Sequence, residues 1–145
     1  MNKVAVSIII VNYNTKELTL NCIGSIIEFT INLRYEIIVV DNSSCDGSCE
    51  AIIVESNTNL GFGKANNLGA KYANGEFLFF LNSDCLLIEN TIKKMHDYFE
   101  INKNTNIGAI GCILLDKEKK INTSYQRFPT PHFLVKDMLF NWNSI

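Results

Sequence analysis

Short apolar runs alternate along the chain with amphipathic ones. Val4–Val11 is a β-branched run bounded by polar residues, the pattern of a strand covered on both faces. Asn14 can cap a following helix, with Glu17 three residues on as its capping-box partner. Leu18, Cys22, Ile26 and Phe29 then recur at helical spacing, with the helix ending near Ile31. Tyr35–Val40 is a second continuous apolar strand, ended by Asp41. A polar turn runs from Asn42 to Gly47, Asp46-Gly47-Ser48 is expected to open a short helix, and Ala51–Val54 supplies a third apolar run. After Gly61-Phe62-Gly63 the spacing predicts a helix on which Ala65, Leu68 and Tyr72 share a face. Phe77–Leu81 reads as a fourth buried strand, and Asn90 as the cap of a helix carrying Ile92, Met95 and Phe99. Ile107–Leu115 and Ile121–Tyr125 flank the charged turn Asp116–Lys120 and are expected to pair as a hairpin. Strands alternating with helices imply right-handed βαβ units. The expected architecture is one α/β domain over residues 1–145, a mostly parallel, doubly wound sheet with helices on both faces.

Composition narrows the class. With 47% apolar and 19% charged residues, the 145-residue chain can bury a core and is not intrinsically disordered. Thirteen basic against fifteen acidic side chains leave a net charge of −2, so nucleic acid is not an expected partner. The longest apolar run, Val4–Val11, is far short of the roughly 20 residues that span a bilayer. Met1-Asn2-Lys3 leads straight into that run without a signal segment, so a soluble, unprocessed cytoplasmic domain is expected. Five cysteines (Cys22, Cys45, Cys49, Cys85 and Cys112) fit free thiols better than a disulfide framework. Cys45 and Cys49 lack two further zinc ligands nearby, since His96 and His132 are distant in sequence.

In an open α/β sheet, ligands bind in the crevice at the carboxyl ends of the strands. The segments at those ends are Asn12-Tyr13-Asn14, Asp41-Asn42-Ser43-Ser44, Asn57–Lys64 and Asn82-Ser83-Asp84. Each is polar. Turns favour such residues anyway, but four polar ends facing one crevice point to a binding site. Asp84 follows five apolar residues that aim it at the crevice, where a carboxylate suits a hard divalent cation. Asp41 is a candidate acceptor for a base N–H or a ribose hydroxyl. Gly61 and Gly63 would let backbone approach a ligand closely, with Lys64 near diphosphate charge. A dinucleotide fingerprint is incomplete, because Asn66 stands at its third glycine and the segment does not follow the first strand. No G-x-S-x-G, H-E-x-x-H or P-loop pattern occurs. His96, between Met95 and Phe99 on its helix, reads as a boundary histidine rather than a base.

Taken in series, Val6–Asn14 (VSIIIVNYN), Ile37–Ser44 (IIVVDNSS), Asn59–Asn67 (NLGFGKANN) and Phe77–Asp84 (FLFFLNSD) resemble the inverting family 2 glycosyltransferases of GT-A fold. Order, spacing and residues match over nearly the whole chain. The N-L-G-F-G form, the N-S-D triplet and Arg127-Phe128-Pro129-Thr130-Pro131 look most like the rhamnosyltransferase-type members. The resemblance implies that Val11, Asn12 and Tyr13 line a nucleotide base pocket and that Asp41, with Asn42 beside it, hydrogen-bonds a uracil or thymine ring. It implies that Gly61, Gly63, Lys64 and Asn66 border the donor's diphosphate and ribose. Asn82-Ser83-Asp84 would stand for the family's D-x-D motif, with Asp84 the ligand to Mg²⁺ or Mn²⁺. Asn82 keeps an oxygen but lacks the charge of the family's first Asp, so metal binding would rest on Asp84 and the diphosphate.

The implied partners are a UDP- or dTDP-sugar donor and a glycan or lipid-linked glycan acceptor, in cell-surface polysaccharide synthesis. The family's general base lies in the second half of its domain. Asp116, Glu118 and Asp137 are poor substitutes, so the base is expected beyond Ile145 and the chain is expected to be the donor half. Leu134, Met138, Leu139, Phe140 and Trp142 would form a helix that packs on the remaining half or makes a peripheral membrane contact at the inner face. Two other readings stay open on the residues: a nucleotidyltransferase-like domain, and a binding or scaffold module that kept the fold without the chemistry.

Overall fold

The computed structural model describes residues 3–48 and 54–122. The chain divides into two compact units, Met1–Ile110 and Gly111–Ile145. In the first, β1 (Val6–Asn12), α1 (Lys16–Phe29), β2 (Tyr35–Asp41), β3 (Val54–Glu55), α2 (Phe62–Ala70), β4 (Phe77–Asn82) and α3 (Thr91–Ile101) follow one another. The four strands form a sheet in the order β3-β2-β1-β4, and every neighbouring pair is parallel.

β1 lies inside the sheet and all seven of its residues are buried, as its uninterrupted apolar run requires. Successive side chains point to opposite faces. Val6, Ile8 and Ile10 pack with Cys22 and Ile26 of α1 and with Leu87 and Ile92. Ile9, Val11, Ile38, Val40 and Val54 pack on the other face with Ala65 of α2. A Cβ on Gly69 would lie 2.7 Å from Ile9 Cγ2 and 2.9 Å from Val40 Cγ2, so glycine there lets α2 sit close to the sheet.

Several expectations change. α1 begins at Lys16, after Thr15, and Asn14 takes φ 54° instead of capping the helix. No side-chain cap bond is made by Thr15; the first-turn N–H of Lys16 is met from another loop, by Asp46 Oδ2 at 3.0 Å. Hydrogen bonds from Ser48 and then from Lys16 N–H hold the Asp46 carboxyl below its ordinary value. α2 ends at Ala70, which leaves Tyr72 in an exposed turn. Asn90 does precede α3, but its Nδ2 donates to Ile31 O at 3.0 Å. β4 pairs only with β1 among the described residues, so Leu78 and Phe80 are half-exposed and the strand is not the buried one expected. His96 packs edge-on to Phe77, ring centres 5.5 Å apart.

In the second unit, β5 (Leu114–Leu115) pairs antiparallel with β6 (Ile121–Asn122). Asp116 Oδ1 closes the turn by accepting from the N–H groups of Glu118 and Lys120, both at 2.9 Å. Among the described residues the hairpin pairs only Leu114–Leu115 with Ile121–Asn122, and Ile107–Ile113 is not in a strand. The expected apolar run at Ala51–Ile53, the strand end at Thr123–Tyr125, the Arg127–Pro131 segment and the tail helix lie outside the described residues.

Candidate functional site

The carboxyl ends of β1, β2 and β4 open on one cavity of about 530 Å³, closed on its sides by the start of α1 and the loop before α2. Of the residues singled out in the sequence, Val11, Tyr13, Asn42, Gly61, Asn82, Ser83 and Asp84 line it. Thr15, Leu18, Asn59 and Phe62 line it as well and were not singled out as site residues. Asn59 sits in the N-L-G-F-G segment, which was the available signal. Thr15 and Leu18 gave none, because their place depends on where α1 starts.

Beneath the cavity lies a buried polar hub. Asn12 and Asp41 face each other across the β1–β2 ladder and both are fully buried. Asn12 Nδ2 donates to Asp41 Oδ1 at 2.7 Å and to Ser44 Oγ at 3.0 Å. Asn12 Oδ1 accepts from Thr15 Oγ1 at 2.9 Å and Thr19 Oγ1 at 2.8 Å. Asp41 also accepts from Ser44 Oγ at 2.5 Å and from Ser44 N–H at 2.9 Å. Thr15 Oγ1 is 3.1 Å from Ser83 Oγ, which joins the hub to the cavity wall. The hub's residues come from the ends of β1, β2 and β4 and from the first turn of α1.

The structure places Asp41, expected beside the base, beneath the cavity. β2 lies between β1 and β3, so its last side chain is enclosed on both sides and its carboxylate works inside the protein. The neighbouring Asn42 reaches the cavity instead. Its Nδ2 donates to Asn59 Oδ1 at 2.9 Å, and its Oδ1 accepts from Leu60 N–H at 2.8 Å. Asn59 Oδ1 in turn accepts from Gly61 N–H at 2.9 Å. This ties the loop to the sheet edge, and Gly61, at φ 76°, supplies the left-handed backbone that starts α2 there.

Gly63, Lys64 and Asn66 do not line the cavity. With α2 starting at Phe62, helical periodicity turns Ala65, Asn66 and Gly69 toward the sheet and leaves Gly63 and Lys64 exposed. Asn66 Nδ2 donates to Phe62 O at 3.0 Å, while its buried Oδ1 has no protein partner. Asp84 is exposed at the cavity rim, not presented from a buried strand, because it lies in a turn after the edge strand β4. It is the one charged residue lining the cavity among the described residues.

Behind that turn, Cys22 Sγ donates to Asn82 O at 3.7 Å and Cys85 N–H donates to the same oxygen at 3.1 Å. Burial first, then the charges of Cys85 and Asp84, push the Cys22 thiol up to about 11. Among the described residues no three His, Cys, Asp or Glu side chains are grouped to hold a metal. Asn82 and Asp84 nonetheless offer two hard oxygen donors on one open wall. That set fits a magnesium- or manganese-type ion, which takes one or two carboxylates and completes its shell with water and phosphate oxygens.

A parallel sheet whose polar carboxyl ends converge on one open cavity defines an α/β domain with its ligand crevice at that edge. The chain matches the model of Glycosyl transferase family 2 over residues 7–144, and it belongs to that family. It is 29% identical over 102 residues to the glycosyltransferase GlyG of Streptococcus pneumoniae, covering 63% of this chain and 34% of that protein. It is 28% identical over 130 residues to the poly(ribitol-phosphate) beta-glucosyltransferase of Bacillus spizizenii, covering 81% and 19%. With Escherichia coli WfgD, a UDP-Glc:alpha-D-GlcNAc-diphosphoundecaprenol beta-1,3-glucosyltransferase, it shares 25% identity, covering 100% and 71%.

Among solved structures, Staphylococcus aureus TarS 1–349 in complex with UDP-GlcNAc superposes with a TM-score of 0.60 at 25% identity, over 68% of this chain and 32% of that one. The Pyrobaculum calidifontis mannosyltransferase PcManGT, in complex with GDP-Man and Mn²⁺, gives 0.54 at 24%, over 62% and 30%. The fold is therefore that of the GT-A glycosyltransferases, and the family decides against the nucleotidyltransferase alternative. The chain spans about a third or less of the first two curated relatives. Among the described residues no helix is long and apolar enough to cross a membrane.

Proposed function

We propose that residues 1–145 form the donor half of a glycosyltransferase that takes a UDP- or dTDP-sugar and transfers the sugar, with inversion, to a glycan or lipid-linked glycan hydroxyl. The observation that carries this reading is the single cavity to which β1, β2 and β4 all bring polar ends, with Asp84 on its wall. Its volume of about 530 Å³ lies within the usual range of ligand pockets. Support comes from the UDP-GlcNAc in TarS and the GDP-Man with Mn²⁺ in PcManGT. Relatives named for glucosylation of poly(ribitol-phosphate) and of a diphosphoundecaprenol-linked GlcNAc favour a role in cell-surface polysaccharides. The narrower rhamnosyltransferase-like reading rests on the N-L-G-F-G and N-S-D segments alone.

In this reading Tyr13, half-exposed at the cavity mouth, and Val11 offer an aromatic and an apolar surface to the nucleotide base. Asn42 and Asn59 hold the loop at Gly61 in place beside it. Asn82 and Asp84 would hold Mg²⁺ or Mn²⁺, which when bound neutralises charge on the departing diphosphate. Asp84 is the one carboxylate in the cavity wall among the described residues, so the base that takes the acceptor's proton is proposed to come from elsewhere in the complete protein.

Calorimetric titration with UDP, dTDP and GDP, each with and without Mn²⁺, tests the reading. Metal-dependent binding of UDP or dTDP is expected, and Asp84→Ala should weaken it at least tenfold while leaving thermal stability unchanged. Unaltered metal-dependent binding by Asp84→Ala would overturn the metal assignment, and no binding by the folded protein would count against the donor site.

A further inference from the structure

Chemistry fixes the direction of the hydrogen bonds from Asp41 through Asn12 to Thr15, and these bias the Thr15–Ser83 contact at the cavity wall. A carboxylate oxygen accepts, so Asp41 Oδ1 orients the Asn12 amide with Nδ2 toward it. Asn12 Oδ1 must then face α1, where it accepts from both Thr15 and Thr19. All four bonding positions of this fully buried amide are thereby filled. A hydroxyl has one proton, and that of Thr15 is committed to Asn12. The 3.1 Å contact with Ser83 therefore runs from the Ser83 O–H to the Thr15 oxygen. Ser83 is left facing the cavity with lone pairs and no proton to offer.

We infer that Asp41, Asn12 and Thr15 are positioning residues that hold Ser83 as an acceptor-only group in the cavity wall, where it takes an O–H of the ligand. Resting on the nucleotide-sugar reading, the inference makes that O–H either a hydroxyl of the donor or a water on its metal ion. A phosphate or carbonyl oxygen gains a bond at Ser83 only if the Ser83 hydroxyl gives up its contact with Thr15, so the relay biases which part of the donor lies against this wall.

Five proteins test it: wild type, Thr15→Val, Thr15→Ser, Ser83→Ala and the Thr15→Val/Ser83→Ala double variant. The first readout is UDP affinity by calorimetry. Ser83→Ala and Thr15→Val should each bind roughly fivefold more weakly, the loss of about one hydrogen bond. Thr15→Ser, which keeps the hydroxyl, should bind like wild type. The double variant should bind no worse than the weaker single variant, because Thr15 acts through Ser83. Losses that multiply would overturn the relay. Weakening both with and without Mn²⁺ assigns the O–H to a donor hydroxyl, whereas weakening only with Mn²⁺ assigns it to a metal-bound water.

The second readout is the urea midpoint and needs no ligand. The double variant should unfold at about the midpoint of the less stable single variant, and shifts that simply sum would overturn the relay. If wild type binds no nucleotide, the functional reading fails while the urea cycle still decides the relay. If wild type binds and the losses multiply, the relay fails while the functional reading stands.

Discussion

The two ends of the β1–β2 ladder carry the same device and use it differently. At the amino end Ser7 faces Glu36, and at the carboxyl end Asn12 faces Asp41. In each pair a fully buried polar side chain on β1 bonds to a carboxylate on β2, at 2.6 Å and 2.7 Å. The amino-end network terminates on backbone. Ser7 Oγ accepts from Gly75 N–H at 2.8 Å, and Glu36 accepts from Asn74 N–H at 2.6 Å and Asn74 Nδ2 at 3.2 Å. This clasps the turn between α2 and β4 onto the sheet and leaves nothing directed at a ligand. The carboxyl-end network passes instead through Thr15 to Ser83, a side chain in the cavity wall. Where a buried network ends on backbone it holds the fold, and where it ends on a cavity side chain it sets the chemistry of a surface.

Gly75→Ala should break the clasp most severely. Its Cβ would lie 2.4 Å from Ser7 N and 2.7 Å from Ser7 Oγ, closer than atoms tolerate, so the turn must move. A loss of about 3 kcal/mol in urea unfolding is expected from such overpacking. A loss below about 0.5 kcal/mol would mean the clasp is slack. Exposed Asp84 gives the opposite result: its alanine variant should cost ligand affinity, as proposed above, and change stability by less than about 0.5 kcal/mol.

A smaller effect marks the amino end by its response to pH. Burial alone would raise the Glu36 carboxyl, but hydrogen bonds from Ser7, Asn74 and Gly75 outweigh it and hold the group below its ordinary value of 4.5. A lowered carboxyl stabilises the fold fully above 4.5 and loses that contribution as pH falls through the lowered value. The stability of Glu36→Gln should therefore fall less steeply below pH 4.5 than that of wild type. Equal acid slopes would remove Glu36 from the clasp. Smallest of all, Cys22, buried and pushed up to about 11, should react with a thiol reagent at neutral pH far more slowly than exposed Cys45, as read by mass spectrometry of the intact protein. Comparable rates would mean that α1 opens readily at the site.

The strands were legible because β-branched runs at Val6–Val11 and Tyr35–Val40 have few alternatives to a buried parallel sheet. Most of the cavity wall was legible because residues just past strand ends must face the crevice. What escaped depends on angles that composition does not carry. Asn14 was read as a helix cap, yet its left-handed backbone sends its Oδ1 to Cys45 N–H at 2.8 Å. Asp41 and Asn42 are adjacent, and only the position of β2 inside the sheet decides that the first is enclosed and the second meets the cavity. Lys64, expected near diphosphate charge, is exposed and outside the cavity lining because α2 starts at Phe62, a boundary the sequence does not fix. The apolar run Phe77–Leu81 reads the same for an inner strand as for the edge strand that β4 is among the described residues.

Backbone amide spectra recorded while UDP and Mn²⁺ are added test the contrast between the two ends most directly. Signals of Tyr13–Thr15, Asn59–Gly61 and Asn82–Asp84 should move with saturating ligand, while those of Ser7, Glu36, Asn74 and Gly75 stay where they are. Shifts concentrated at the amino end, or none at the carboxyl end, would contradict the division between a holding end and a binding end.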